Sequence, residues 1–295
     1  MRMILTLIAA LFLVSASPPP PKNIVAKPAL WKVSDADTTI YLFGTIHILQ
    51  PGVTWLDGPV KSAFDGSEQL VLELVEPGQD ESSRIIMSKA IDPDGPLLTA
   101  KLAPEDAARY RATLTQLGID PLSFEVMEPW FASVMITLLP IQKLGFDPEM
   151  GVEKSLTRAA KARNMPVLGL ETMEEQIGFF DGLPEKAQIA MLNASVRDAG
   201  QLRKFADKMV KIWAKGNPDA LGALLNDDID DTPELTQVLL VDRNRRWADW
   251  IRNRLEKPGT VFLAVGAAHL AGPDSVQHYL AAQKIKAVRI DRARR

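Results

Sequence analysis

Apolar and polar positions along this chain separate strands at its two ends from helices in its middle. Leu30–Val33 and Thr39–Phe43 are short β-rich runs, and the polar stretch Ser34-Asp35-Ala36-Asp37 between them predicts a hairpin. Gln69–Leu74 (QLVLEL) is an apolar run of strand length. The spacing predicts a helix over 104–117, with Pro104 in its first turn and Gly118 closing it. Residues 129–144 are strongly apolar and read as a buried helix. A helix over 149–164 leads into a strand over 166–170 (PVLGL). Thr172 and Glu175 then have the spacing of a capping box that opens the next helix. Residues 173–225 read as helical, with turns at Gly182-Leu183-Pro184 and Gly216-Asn217-Pro218. Asp231-Thr232-Pro233 starts a long helix reaching about residue 256, followed by a strand over 260–265, a helix over 273–283 and a terminal strand over 287–290. The expected fold class is α/β with α+β character: a central sheet built from both chain ends, with a large helical insertion in the middle, about residues 173–256.

The first residues read as an address. Arg2 precedes an apolar run from Ile4 to Val14, too short to span a bilayer comfortably, and Val14-Ser15-Ala16 has the small residues of a cleavage site. Residues 1–16 are expected to be a signal peptide, 17–29 a Pro-rich linker, and 30–295 the domain. Export to a periplasm is the expected localisation, with membrane contact only during export. The alternative is an uncleaved anchor.

Composition narrows the chemistry. The 295 residues are 46% hydrophobic and 24% charged, with net charge −3 and scattered basic residues, so no nucleic-acid partner is expected. The chain has no Cys, which removes thiol nucleophiles, thiolate metal sites and disulfides together. Gly-x-Ser-x-Gly, HExxH and Gly-rich phosphate loops are absent. Imidazole chemistry must use His47, His269 or His278.

Two of these share a context. Thr39–His47 (TIYLFGTIH) and Thr260–His269 (TVFLAVGAAH) each read as an apolar strand, then Gly, then two residues, then His. Each imidazole would stand at the carboxyl end of a strand, the edge where open α/β sheets bind ligands. If the strands are neighbours, the two rings converge on one pocket, and with a carboxylate they could hold a transition metal. Glu73 lies inside the apolar run VLEL, Glu153 in the first turn of a helix, and Glu171 at the end of PVLGLE. Arg243, Arg245 and Arg246 give the strongest local positive charge; one could point inward to the carboxylates. His278 is expected on a surface helix, outside any site.

The motifs FGTIH (43–47) with Trp55, LVLEL (70–74), GVE (151–153), PVLGLET-x-EEQ (166–176), DRN (242–244) and AVGAAHLAGP (264–273) resemble the TraB/GumN family, which includes the Tiki proteins. The resemblance spans about residues 30–290. It implies a metal-dependent hydrolase, peptidase-like, using manganese or cobalt, with zinc also admitted. It makes His47 and His269 metal ligands and Glu73 a ligand or general base. It places Glu153, Glu171 and Arg243 at family-typical positions. The scaffold also resembles haem-uptake and erythromycin-esterase-type proteins. The expected function is an exported hydrolase acting on a peptide or cell-envelope substrate. The alternative is a non-catalytic periplasmic protein that binds a metal, haem or a cell-envelope ligand. Tiki chains are membrane-anchored, a departure that bears on substrate.

Overall fold

The computed structural model describes residues 23–226 and 233–290. The expected signal segment 1–16, residues 17–22 of the expected linker and the Asp231-Thr232 helix start lie outside the described residues. In chain order the first elements are β1 (Ile24–Val25), β2 (Leu30–Ser34), β3 (Thr38–Thr45), β4 (Val53–Thr54), α1 (Gly58–Asp65), β5 (Gln69–Leu74) and α2 (Gln79–Ala90). The middle holds α3 (Pro104–Gln116), α4 (Pro129–Lys143), α5 (Val152–Ala162), β6 (Val167–Glu171), α6 (Met173–Asp181), α7 (Glu185–Asp198), α8 (Leu202–Ala214) and α9 (Pro218–Asn226). The last part holds α10 (Pro233–Thr236), α11 (Asp242–Leu255), β7 (Gly259–Gly266), α12 (Val276–Ala282) and β8 (Val288–Arg289).

The main sheet has the order β6-β5-β7-β3-β2-β8. The first four strands are mutually parallel, and β2 is antiparallel to β3 and β8. The β2–β3 hairpin forms as read, because Asp35 Oδ1 accepts the Thr38 amide at 2.8 Å and closes the turn from its own side chain. β3 and β7 pair along their full length, Thr39 opposite Thr260 and Gly44 opposite Val265. The two ends of the chain therefore meet at the sheet centre.

Both faces of the sheet are covered, which is why its central strands read as unbroken apolar runs. Along β7, Val261, Leu263 and Val265 pack with Ile40, Leu42 and the α11–α12 side chains Trp247, Ile251 and Leu280. Phe262 and Ala264 face the other way, toward Phe43, Phe64, Leu70 and the helical middle. Among the described residues no helix is long and apolar enough to cross a membrane.

Several boundaries differ from the sequence reading for physical reasons. The helix expected over 149–164 is a 3₁₀ turn at Pro148–Met150, then α5, because Gly151 is extended (φ −54°, ψ 151°). A Cβ at Gly151 would collide with the His47 carbonyl. The long helix to about 256 contains a π-helical segment, Gln237–Val241, just before α11. The helix expected from 273 begins at Val276, where the Ser275 side chain caps it. Residues 24–25, placed in the linker by sequence, pair with β4, and the adjoining Ala26 is buried. Helices α1 and α2 are additional to the elements expected from the sequence.

Candidate functional site

Strands β6, β5, β7 and β3 are parallel neighbours, so their carboxyl ends lie along one edge. They bring up Glu171 at the end of β6, Glu73 on β5, His269 just after β7 and His47 just after β3. Neighbouring strands stand about 4.8 Å apart, so four chemistry-bearing residues line one sheet edge. The glycine of the first Gly-x-x-His segment serves this convergence. A Cβ on Gly44 would lie 3.1 Å from the Ala267 Cα, so the two turns pack backbone against backbone. Trp213 of α8 donates its indole N–H to the Gly44 carbonyl at 2.8 Å and pins the first turn.

Arg243 of α11 sits at the centre, fully buried. Its Nε donates to Glu171 Oε1 at 2.9 Å; Nη2 donates to Glu171 Oε2 at 2.7 Å and to Glu73 Oε2 at 2.8 Å. Nη1 donates to the Leu239 carbonyl at 3.2 Å and stands 3.1 Å from His269 Nε2. Burial alone would lower the guanidinium's proton affinity, but Glu73 and Glu171 outweigh it and hold the group firmly charged. The Glu73 carboxylate also accepts the Gly266 amide, and Glu171 accepts from Gln176 Nε2 at 3.1 Å. Both carboxylates are thus buried and satisfied, the condition for keeping such charges inside a protein.

His269 is held on both ring nitrogens. The Asn244 side-chain N–H donates to the Asp274 carbonyl at 2.6 Å, so its Oδ1 faces His269 Nδ1, also at 2.6 Å. Nδ1 therefore carries the proton and donates to Asn244, while Nε2 offers a lone pair to Arg243. Burial, Arg243 and His47, in that order, push the His269 pKa well below its ordinary value, so the ring is neutral. Trp247 packs on it, ring centroids 4.4 Å apart.

His47 stands at the rim. Its Nδ1 is 2.8 Å from Glu153 Oε1, and its Nε2 is buried without a protein partner. The side chains are 12% and 17% exposed. Burial pulls the His47 pKa down, but the charges of Glu153, Glu73 and Glu76 raise it above the ordinary value. Burial raises Glu153, yet His47 and Thr45 hold it below the ordinary carboxylate value. The Gly151-Val-Glu153 motif explains the contact: Gly151 lets α5 approach the His47 carbonyl, and the Val152 amide donates to the Ile46 carbonyl at 3.1 Å. Glu153 then falls in the first turn of α5, where the helix dipole favours its negative charge.

The structure thus places Glu73, Glu171, Arg243 and His269 in one cluster, with His47 and Glu153 beside it. The expected metal set of His47, His269 and Glu73 does not fit an ion in this arrangement. His269 Nε2 and Glu73 Oε2 are both engaged by the Arg243 guanidinium, a fixed positive charge where the metal was expected. Glu73 Oε1 accepts from Gly266 and lies 3.8 Å from His269 Nε2. Among the described residues no group of three or more His, Cys, Asp or Glu side chains is arranged to hold a metal ion. His278 is exposed on α12, and Arg245 is exposed, its guanidinium 5.3 Å over Tyr279. Asn244, Thr45 and Gln176 were not read from sequence. Asn244 adjoins Arg243 and Thr45 lies within FGTIH, but neither residue type announces a role without its neighbours in space.

A family model described as the TraB/PrgY/gumN family matches residues 29–289. Two relatives are "Uncharacterized protein YbaP" of Escherichia coli (strain K12), 24% identical, and its namesake of Shigella flexneri, 25% identical. Each alignment runs over 241 residues, 81% of this chain and 87% of the relative. No solved structure matches.

Proposed function

The chain belongs to the TraB/PrgY/gumN family, and on that premise we propose that the carboxyl-edge cluster is the active site of an exported hydrolase. Its substrate would be a peptide or another acyl-linked component of the cell envelope. His47 carries this reading: a carboxylate lies 2.8 Å from Nδ1, and Nε2 has no protein partner. That is the pattern of a general base oriented by an acid.

In this reading His47 Nε2 takes a proton from water as it attacks an acyl carbon, and Glu153 stabilises the imidazolium that forms. Arg243, saturated by its own partners, holds Glu73, Glu171 and His269 in fixed positions behind His47. Neutral His269 adds no opposing charge at Nε2 and keeps the guanidinium in register. Glu73 and Glu171 anchor that guanidinium. The imidazolium returns the proton to the leaving group. Manganese, cobalt and zinc enter only as the competing outcome, since Arg243 holds two of the three expected donors.

The test is hydrolysis of self-quenched fluorescent casein and of 4-nitrophenyl acetate by chelator-treated protein, with and without Mn2+, Co2+ or Zn2+. Metal-free turnover that disappears in His47→Ala is the expected result. Turnover only with an added ion would return His47, His269 and Glu73 to the role of ligands. Absence of turnover under every condition would overturn the hydrolase reading in favour of a binding protein.

A further inference from the structure

The main sheet ends differently on its two sides. At one edge β8 is two residues long and carries Arg289, a short charged edge of the kind that discourages further pairing. At the other edge β6 is five residues long and reads VLGLE. Its one charged side chain, Glu171, is turned into the cluster and held by Arg243. Among the described residues no strand pairs with the outer side of β6. The phase of the ladder shows which backbone groups this leaves over. The Leu70 amide donates to the Pro166 carbonyl at 2.9 Å and Leu70 lies opposite Val167, so Pro166, Leu168 and Leu170 are the residues that bond to β5. Val167 and Gly169 therefore turn their N–H and C=O groups outward. The side chains at this edge are apolar and exposed as well. Leu168 is 48% exposed, and Val75, whose amide lies 3.0 Å from where a Gly169 Cβ would stand, is 43% exposed. An uncharged apolar edge with free backbone groups is a template for another strand.

We propose that this edge pairs with the same edge of a second copy of the chain, the two β6 strands running antiparallel about a two-fold axis at Gly169. The strand is complementary to itself in that register. Gly169 faces the partner's Gly169, and each amide donates to the other's carbonyl through the groups that β5 leaves free. Val167 exchanges backbone bonds with the partner's Glu171 in the same way. Leu168 then falls opposite the partner's Leu170 in a non-hydrogen-bonded pair, where Cα atoms stand about 4.5 Å apart and side chains are close. Leu168 is exposed, and Leu170 is half-buried against the layer that holds Trp247 and Ile251. Each contact covers one leucine with another, and the symmetry makes it twice. An extended peptide of another protein supplies the backbone groups alone, whereas a second copy supplies matching leucines too. The two six-stranded sheets join into one, with the two clusters at opposite ends of it. Because β6 ends at Glu171, the interface also braces the strand that anchors Arg243. None of this depends on whether the cluster hydrolyses anything.

The test is sedimentation velocity of the purified protein over a range of micromolar concentrations, where a dimer is the expected species. Leu168→Lys should raise the dimer dissociation constant about 100-fold or more, because it sets an ammonium group against an apolar side chain. At dilutions where both proteins are monomeric, its thermal unfolding should match wild type, since Leu168 is exposed in the single chain. Gly169 is left unchanged, because a Cβ there would crowd the Val75 amide and the Glu171 carbonyl within one chain. The chain has no Cys, so Leu168→Cys and Leu170→Cys proteins, mixed and mildly oxidised, report the register. The mixed pair should cross-link faster than either protein alone, since positions 168 and 170 stand opposite one another at a separation that a disulfide spans. A monomer at every concentration would overturn the proposal and leave the edge to an extended peptide of another protein. A dimer that Leu168→Lys leaves intact, or one in which each Cys variant cross-links with itself as fast as with the other, would also overturn it.

Discussion

Replacing Arg243 by Met removes the fully buried guanidinium that neutralises the interior of the site. The side chain is fully buried and its donors reach Glu73, Glu171, the Leu239 carbonyl and His269. Without it, Glu73 keeps only its Gly266 amide bond, while Glu171 keeps Gln176 and a marginal approach from Arg246 at 3.5 Å. Breaking a buried ion pair by deleting one partner costs about 3–5 kcal/mol, because the surviving charge stays desolvated. Partial compensation by half-exposed Arg246 puts the expected loss near 4 kcal/mol, a large share of a stability of about 5–15 kcal/mol. Urea unfolding at pH 8 measures it. Adding Glu73→Gln to Arg243→Met should recover about 2 kcal/mol, since a neutral amide is cheaper to leave under-partnered. A single variant within about 1 kcal/mol of wild type, or no recovery in the double variant, would refute the view that this guanidinium compensates buried negative charge.

The two imidazoles should give opposite pH signatures in urea unfolding. His269 stays neutral when folded but binds a proton when unfolded, so its contribution falls as pH drops below about 6.5; His269→Gln should remove that acid-side slope. The folded-state pKa of His47 is raised, so its contribution is full below about 6.5 and is lost as pH rises through the folded value; His47→Gln should remove that loss. Gly151→Ala forces α5 away from the His47 carbonyl, which should cost about 1–3 kcal/mol and, in the hydrolysis assay, most of the activity; wild-type turnover would contradict the role given to the helix start. His278→Ala, at an exposed position on α12, should stay within about 0.5 kcal/mol of wild type with turnover unchanged.

The sheet was legible because its signals are local. The Asp35 turn, the apolar runs of β5 and β7 and the Thr172–Glu175 capping box are each written within a few residues. The paired Gly-x-x-His segments also announced convergence, since two similar strands ending alike are natural neighbours. What stayed hidden depends on partners distant in sequence. The contact of Gly151 with the His47 carbonyl splits a stretch that otherwise reads as one helix. Asn244 shows its role only once Asp274 turns its amide toward His269. An inward arginine paired with carboxylates was the alternative to a solvated face, but its contact with His269 was not read. A π-helical turn just before α11 precedes that placement, and no propensity scale reports it.

The β3–β7 pairing joins segments about 220 positions apart, and His269 lies close to the end of the described chain. A growing polypeptide thus holds His47, Glu73, Glu153 and Glu171 before Arg243 and His269 are made. Slow closure of so distant a strand pair is the cost of that arrangement. Its benefit is a built-in delay: whatever the finished pocket does, an unfinished or C-terminally clipped chain cannot do it.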